Sequence, residues 1–123
     1  MNRAEVLIDL SAVEFNVKKL IKDSGKTALA VVKADAYGHG LVPAAKAALS
    51  GGASYLGTAL LAEAVQLRES GITAPILAWL TPPTENFVMA LEGAIDLSIS
   101  SLDQLGAILS ASEKIGVKPR LHL

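Results

Sequence analysis

Apolar and polar positions fall into two alternating patterns along the chain. Short runs rich in Val, Ile, Leu and Ala are followed by longer stretches whose apolar residues recur three and four positions apart. The first pattern reads as strands buried on both faces and the second as amphipathic helices. Residues 5–10 predict a first strand. Ser11 then reads as an N-cap, with Glu14 three residues on completing a capping box. The stripe Val13, Val17, Leu20 and Ile21 predicts a helix that Gly25 ends. Strands are expected over residues 27–34, 53–58, 74–80, 96–100 and 120–123. Helices are expected over residues 42–50 and 60–70, from Pro82 and Pro83 onward, and from Ser101 to about Lys114.

From the second strand on, the order is strand, helix, strand, helix. Strand centres near Val31, Leu56, Leu77, Ser98 and His122 recur every 21 to 25 residues. That spacing makes neighbouring strands parallel with right-handed crossovers. Two architectures fit, an open doubly wound sheet and a closed (β/α)8 barrel. A barrel takes roughly 250 residues, and five units do not close one. The last strand also has no helix after it. The expectation is an α/β fold, present as an N-terminal partial barrel of about five parallel strands, with residues 1–123 forming the first part of a longer barrel domain.

Composition narrows the function classes. Hydrophobic residues make up 51% and charged residues 19% of the 123, enough for a substantial core. No apolar run reaches the roughly 18 residues of a spanning helix, so no membrane partner is expected. The 11 basic and 12 acidic residues are mixed, with a net charge of −1, which argues against nucleic acid. Without cysteine there is no thiolate chemistry. His39 and His122 stand far apart with no carboxylate cluster between them, so no metal site is expected. The N-terminus does not read as a signal peptide, and a cytoplasmic location is expected.

The chemistry concentrates in AVVKADAYGHG, residues 30–40. A strand of small and β-branched residues leads into Lys33, an amine that is costly to bury. The carboxyl end of a parallel strand is where ligands bind in either architecture. Strand alternation puts Val31, Lys33 and Asp35 on one face. A desolvated amine at such a place suits Schiff-base chemistry. The plain alternative is a lysine that reaches into solvent or pairs with Asp35. The spacing G-x-G-x-x-G is absent, so Gly38 and Gly40 read as a tight strand-to-helix turn.

The string AVVKADAYGHG resembles the pyridoxal-phosphate attachment segment of the alanine racemases. IDLSAVEFNVKKL, LGTALLAEAVQLRESGI, PILAWLTPP and DLSISSLDQLGAI resemble, in register, other parts of the same family's barrel. The resemblance implies pyridoxal 5'-phosphate as cofactor, held covalently by Lys33, with the Tyr37 hydroxyl donating to its phosphate. It implies alanine as the small-molecule substrate, Lys33 as the base that takes the α-proton from D-alanine, and a homodimer for the full-length protein. The product would be D-alanine for peptidoglycan. In the family a tyrosine from the partner subunit's C-terminal domain acts on the opposite face, and these residues hold no equivalent, so the 123-residue chain alone is expected to be inactive. Two other readings fit the same barrel. One is a stand-alone pyridoxal-phosphate protein of cofactor homeostasis. The other is a related racemase or decarboxylase for another amino acid.

The remaining residues read more plainly. Glu63 and Arg68, five apart on one helix, read as solvated or helix-packing charges. Tyr55 reads as packing within its strand. Trp79 reads either as a core aromatic or as a lining of the cofactor pocket, and His39 as a loop residue shaping the turn.

Overall fold

A computed structural model describes residues 3–123. Helix α1 (Leu10–Ser24) opens the fold. The chain then runs through strand β1 (Leu29–Val31), a single turn α2 (Lys33–Gly38) and helix α3 (Leu41–Ser50). Next come β2 (Tyr55–Thr58), α4 (Leu61–Glu69), β3 (Ile76–Ala78), α5 (Phe87–Glu92), β4 (Asp96–Ser98), α6 (Leu102–Ile115) and β5 (Leu121–His122).

The five strands form one parallel sheet in the order β1-β2-β3-β4-β5. Each crossover returns the chain to the next position on the same side, with no reversal of strand order. That is the winding of a barrel, and it rules out the doubly wound alternative. The core lies between the helices and the outer face of the sheet. Leu56, Thr58, Ile76, Ala78 and Leu97 are buried there against Ala45, Ala64, Leu67, Ala90 and Ile108. The intervening strand positions form the concave face. Leu29 and Val31 on it are about two-fifths exposed, at 41% and 42%. It is the surface that becomes the interior when such a sheet closes.

Residues 5–10 do not form a strand. They run without regular structure up to the start of α1, with Val6 and Leu7 exposed. A strand is defined by its partner, and among the described residues none lies alongside. The first cap also moves. Asp9, not Ser11, caps α1, accepting from the Ser11 and Ala12 backbone N–H groups at 3.0 and 3.2 Å and from the Ser11 hydroxyl at 2.5 Å. The helix therefore starts at Leu10, and Glu14 takes no part in the cap. Pro82 and Pro83 do not open α5 either. They lie in a turn closed by Glu85 N–H on Pro82 O, and the helix starts at Phe87 with the Asn86 side chain accepting from Met89 N–H.

The α1 cap gives a pH dependence. The Ser11 hydroxyl, then the Ala12 and Ser11 N–H groups, hold the Asp9 carboxyl below its ordinary value. A depressed folded-state value contributes stability that is complete above the unfolded value of about 3.9 and is lost as pH falls through the folded one. Acidification below pH ~4 is therefore expected to speed amide exchange in the first turn of α1, and Asp9→Ala to remove that pH dependence. The same acid response in both proteins would discard the Asp9 account.

Candidate cofactor site

Lys33 stands where β1 stops. Val32 N–H still donates to Gly57 O on β2 at 2.9 Å, which continues the ladder by one residue. Then the backbone turns over. Ala34, Asp35, Ala36 and Tyr37 all have left-handed helical dihedrals, with φ of 52°, 55°, 51° and 58°. Gly38 and Gly40 follow at φ 87° and 91°. Strand alternation thus ends at Val32, and the expectation that Asp35 shares the face of Lys33 fails for that reason.

Four consecutive non-glycine residues in the left-handed region are costly, on the order of 1–2 kcal/mol each. Such a turn persists only where its surroundings over-determine it. Ala36 N–H donates to Val32 O at 2.9 Å, and Gly40 N–H to Asp35 O at 2.9 Å. The Asp35 carboxylate accepts from Leu41 N–H, the first residue of α3, at 2.7 Å. The His39 ring Nδ1 lies 2.8 Å from Ala36 O. Asp35 is therefore committed to the backbone. It makes no ion pair with Lys33, and among the described residues the Lys33 amine pairs with no carboxylate.

The turn places Lys33 and Tyr37 together at the carboxyl ends of the strands. The Lys33 ammonium lies 5.8 Å from the Tyr37 ring centroid, within cation–π range. Lys33 is half-buried, and Tyr37 is 63% exposed. The donor set suits an aldehyde cofactor with a phosphate arm: one amine for the carbonyl, and one accessible hydroxyl on the same turn for the phosphate. Trp79 lies on the same concave face, its indole over Gly57 on β2.

Three groups of residues that sequence reasoning passed over are built into this frame. Glu63, read as a solvated or helix-packing charge, is half-buried. Its carboxylate accepts from Ala34 N–H at 2.6 Å and from Ala59 and Leu60 N–H at 3.0 Å each. Its place at the third position of α4 was the available signal, since a carboxylate there commonly reaches back to the helix start. Arg68 donates to Gly93 O, Ile72 O, Ala74 O and Ala94 O, and burial pushes its pKa down. Tyr55 is more than packing. Its hydroxyl donates to the buried Asp96, which also takes the Arg120 guanidinium at 2.5 to 3.1 Å, and His122 lies edge-on to the Tyr55 ring. The hydrogen bonds to Asp96 raise the pKa of Arg120.

The same frame occurs in known proteins. The family profile for the alanine racemase N-terminal domain matches residues 8–123. The alanine racemase of Thermobifida fusca is 50% identical over 121 residues, covering 98% of this chain and 32% of that enzyme. That of Salinispora arenicola is 49% identical over 123 residues, covering all of this chain and 33% of that enzyme. Among solved structures, the alanine racemase from D-cycloserine-producing Streptomyces lavendulae superimposes with a TM-score of 0.91 at 44% identity, over 94% of this chain and 31% of that one. The enzyme from E. faecalis gives 0.85 at 35% identity, over 94% of this chain and 32% of that one. The chain spans about a third of the length of these relatives. Five parallel strands in barrel order, a lysine at the end of the first, and a match over nearly the whole length place the chain in the alanine racemase family, within its N-terminal barrel domain.

Proposed function

We propose that residues 1–123 are the cofactor-attachment part of a pyridoxal-phosphate-dependent alanine racemase that interconverts L- and D-alanine. Lys33 at the carboxyl end of β1 carries this reading, since among the described residues it is an unpaired amine on a turn where Asp35, and Glu63 reaching in from α4, are both spent on backbone. The Lys33 amine would hold pyridoxal 5'-phosphate, and the Tyr37 hydroxyl would donate to its phosphate. When bound, the cofactor supplies an electron sink for negative charge at the substrate α-carbon. The Lys33 Nζ would accept the α-proton of D-alanine on its own face. Racemisation also needs an acid on the opposite face. Tyr37 shares the turn of Lys33, and the Tyr55 hydroxyl is held by Asp96 and Arg120. Neither serves, so the isolated chain is expected to give negligible turnover. The whole enzyme would act as a cytoplasmic homodimer and supply D-alanine for peptidoglycan.

The test is covalent trapping. The chain is incubated with pyridoxal phosphate, reduced with borohydride and mapped by peptide mass. Added mass is expected on the Lys33 peptide alone and is expected to vanish in Lys33→Ala. Label spread over other lysines, unchanged in the variant, would overturn the reading.

A further inference from the structure

The peptide plane between Lys33 and Ala34 decides where the lysine side chain points, because it fixes the backbone on the carboxyl side of the Lys33 Cα. Among the described residues, one side chain reaches that plane from outside the turn. Glu63 Oε1 accepts the Ala34 N–H at 2.6 Å, a contact across 29 residues of sequence. Its other oxygen accepts from Ala59 and Leu60, the two residues that join β2 to α4. The carboxylate therefore spans the carboxyl ends of β1 and β2 and ties the strained turn to its neighbour. Both oxygens are needed. Oε1 serves the turn and Oε2 the loop, all three donors are N–H groups, and a carboxylate has two acceptor oxygens to offer them. Leu60, the cap position of α4, has no polar side chain, so Glu63 supplies the side-chain hydrogen bonding at that helix start.

We infer that Glu63 is a positioning residue for Lys33, its carboxylate holding the left-handed turn in the one conformation that presents the amine to the cofactor. The inference rests on the proposed cofactor chemistry for its consequence. Its structural half, the restraint on Ala34, stands without any cofactor. Restraint is what a site of this kind needs, because a reacting amine that is merely nearby loses most of the advantage of orientation.

The first variant is Glu63→Gln, which keeps the shape and loses one acceptor atom. Its carboxamide can serve the turn or the loop, not both. Two readouts are taken on the same protein. Amide exchange at Ala34, in the protein without cofactor, is expected to speed up roughly tenfold, the change expected for one lost hydrogen bond to a charged acceptor. Borohydride trapping of pyridoxal phosphate at Lys33 is expected to slow by a similar factor at equal cofactor concentration. Ala34→Gly in the Glu63→Gln background is expected to recover a good part of that rate, because glycine adopts φ near 52° without steric cost. A general loss of packing would not be rescued by a glycine.

The second variant guards against a failure of Glu63→Gln to fold. An ester in place of the Ala34 amide deletes that single N–H and leaves the Ala59 and Leu60 contacts intact. Slower trapping at Lys33 is again expected. Trapping within twofold of the unaltered chain in a folded variant, with Ala34 exchange equally unchanged in Glu63→Gln, overturns the inference. If the unaltered chain shows no selective label at Lys33, the cofactor reading fails instead, and the exchange at Ala34 still decides whether Glu63 holds the turn.

Discussion

Arg68→Ala is expected to lower the unfolding free energy by about 3 kcal/mol, read from the midpoint of urea unfolding at an unchanged slope. The guanidinium at the end of α4 donates to Ile72 O and Ala74 O in the loop before β3, and to Gly93 O and Ala94 O in the loop before β4, at 2.6 to 3.0 Å. It joins two neighbouring helix-to-strand loops at the end of the sheet opposite Lys33. One of its acceptors belongs to Ala94, which has a φ of 48° and is itself strained. A hydrogen bond to a charged group contributes roughly 1.5–3 kcal/mol. Four such bonds would sum to more than the expected loss. The site is half-exposed, however, and water can reach some of the freed carbonyls, so the total falls to the lower figure. Arg68→Lys is expected to recover less than half, because a single ammonium cannot fork to both loops. A loss below ~1 kcal/mol would mean that the carbonyls rehydrate freely and that the loops hold without the guanidinium.

Arg68 and Glu63 lie on the same helix and do opposite work. Arg68 stitches the bottom loops, which serve stability. Glu63 ties the top of the sheet, where the candidate site is. Both use a charged side chain to join nearby backbone groups to distant ones; the local half of Glu63's role was legible from its place on α4, but the reach to Ala34, like that of Arg68 to Gly93 and Ala94, was not. Arg68 reaches carbonyls 25 and 26 residues away, and Tyr55 reaches a carboxylate 41 residues away. Local pattern carries no record of such partners. It does carry the repeat of apolar runs and helical stripes, from which the five parallel strands and the position of Lys33 follow. Two of the local features that misled show why. Residues 5–10 have the apolar composition of a strand, but pairing is not a local property. Ala34, Asp35, Ala36 and Tyr37 have no chemistry that favours the left-handed region strongly, and only the glycines beyond them hint at the turn. Hydrogen bonds within residues 32–41 and the Glu63 carboxylate from α4 hold the turn, and the contact from Glu63 has no trace in the turn's own residues.

Gly57→Ala is expected to cost roughly 1–3 kcal/mol, the range for forcing a methyl group into a filled site, and to move Trp79. A Cβ on Gly57 would stand 2.5 and 2.9 Å from two ring carbons of Trp79 and 2.7 Å from Leu29 Cδ2. Real carbon atoms do not approach so closely, so the indole or the leucine must shift. Glycine here is a packing requirement, since its backbone is ordinary strand and needs no left-handed freedom. It lets an aromatic ring from the end of β3 lie across β2 on the concave face. Trp79 is the only tryptophan, so its emission reports the shift directly, and a red shift is expected as the ring is pushed toward water. The same residue bears on the site, because Gly57 O accepts the Val32 N–H one residue before Lys33. A displaced β2 backbone is therefore expected to slow cofactor trapping at Lys33 as well. Gly106→Ala is the matched control. It lies within α6 with open space around the added methyl, and is expected to gain roughly 0.5–1 kcal/mol while leaving Trp79 and Lys33 unchanged. Loss of stability in Gly57→Ala with unaltered emission would assign the strain to Leu29 on β1. Full stability with unaltered emission would mean that the sheet absorbs the methyl group, and that the indole over β2 is held by something other than the space glycine leaves.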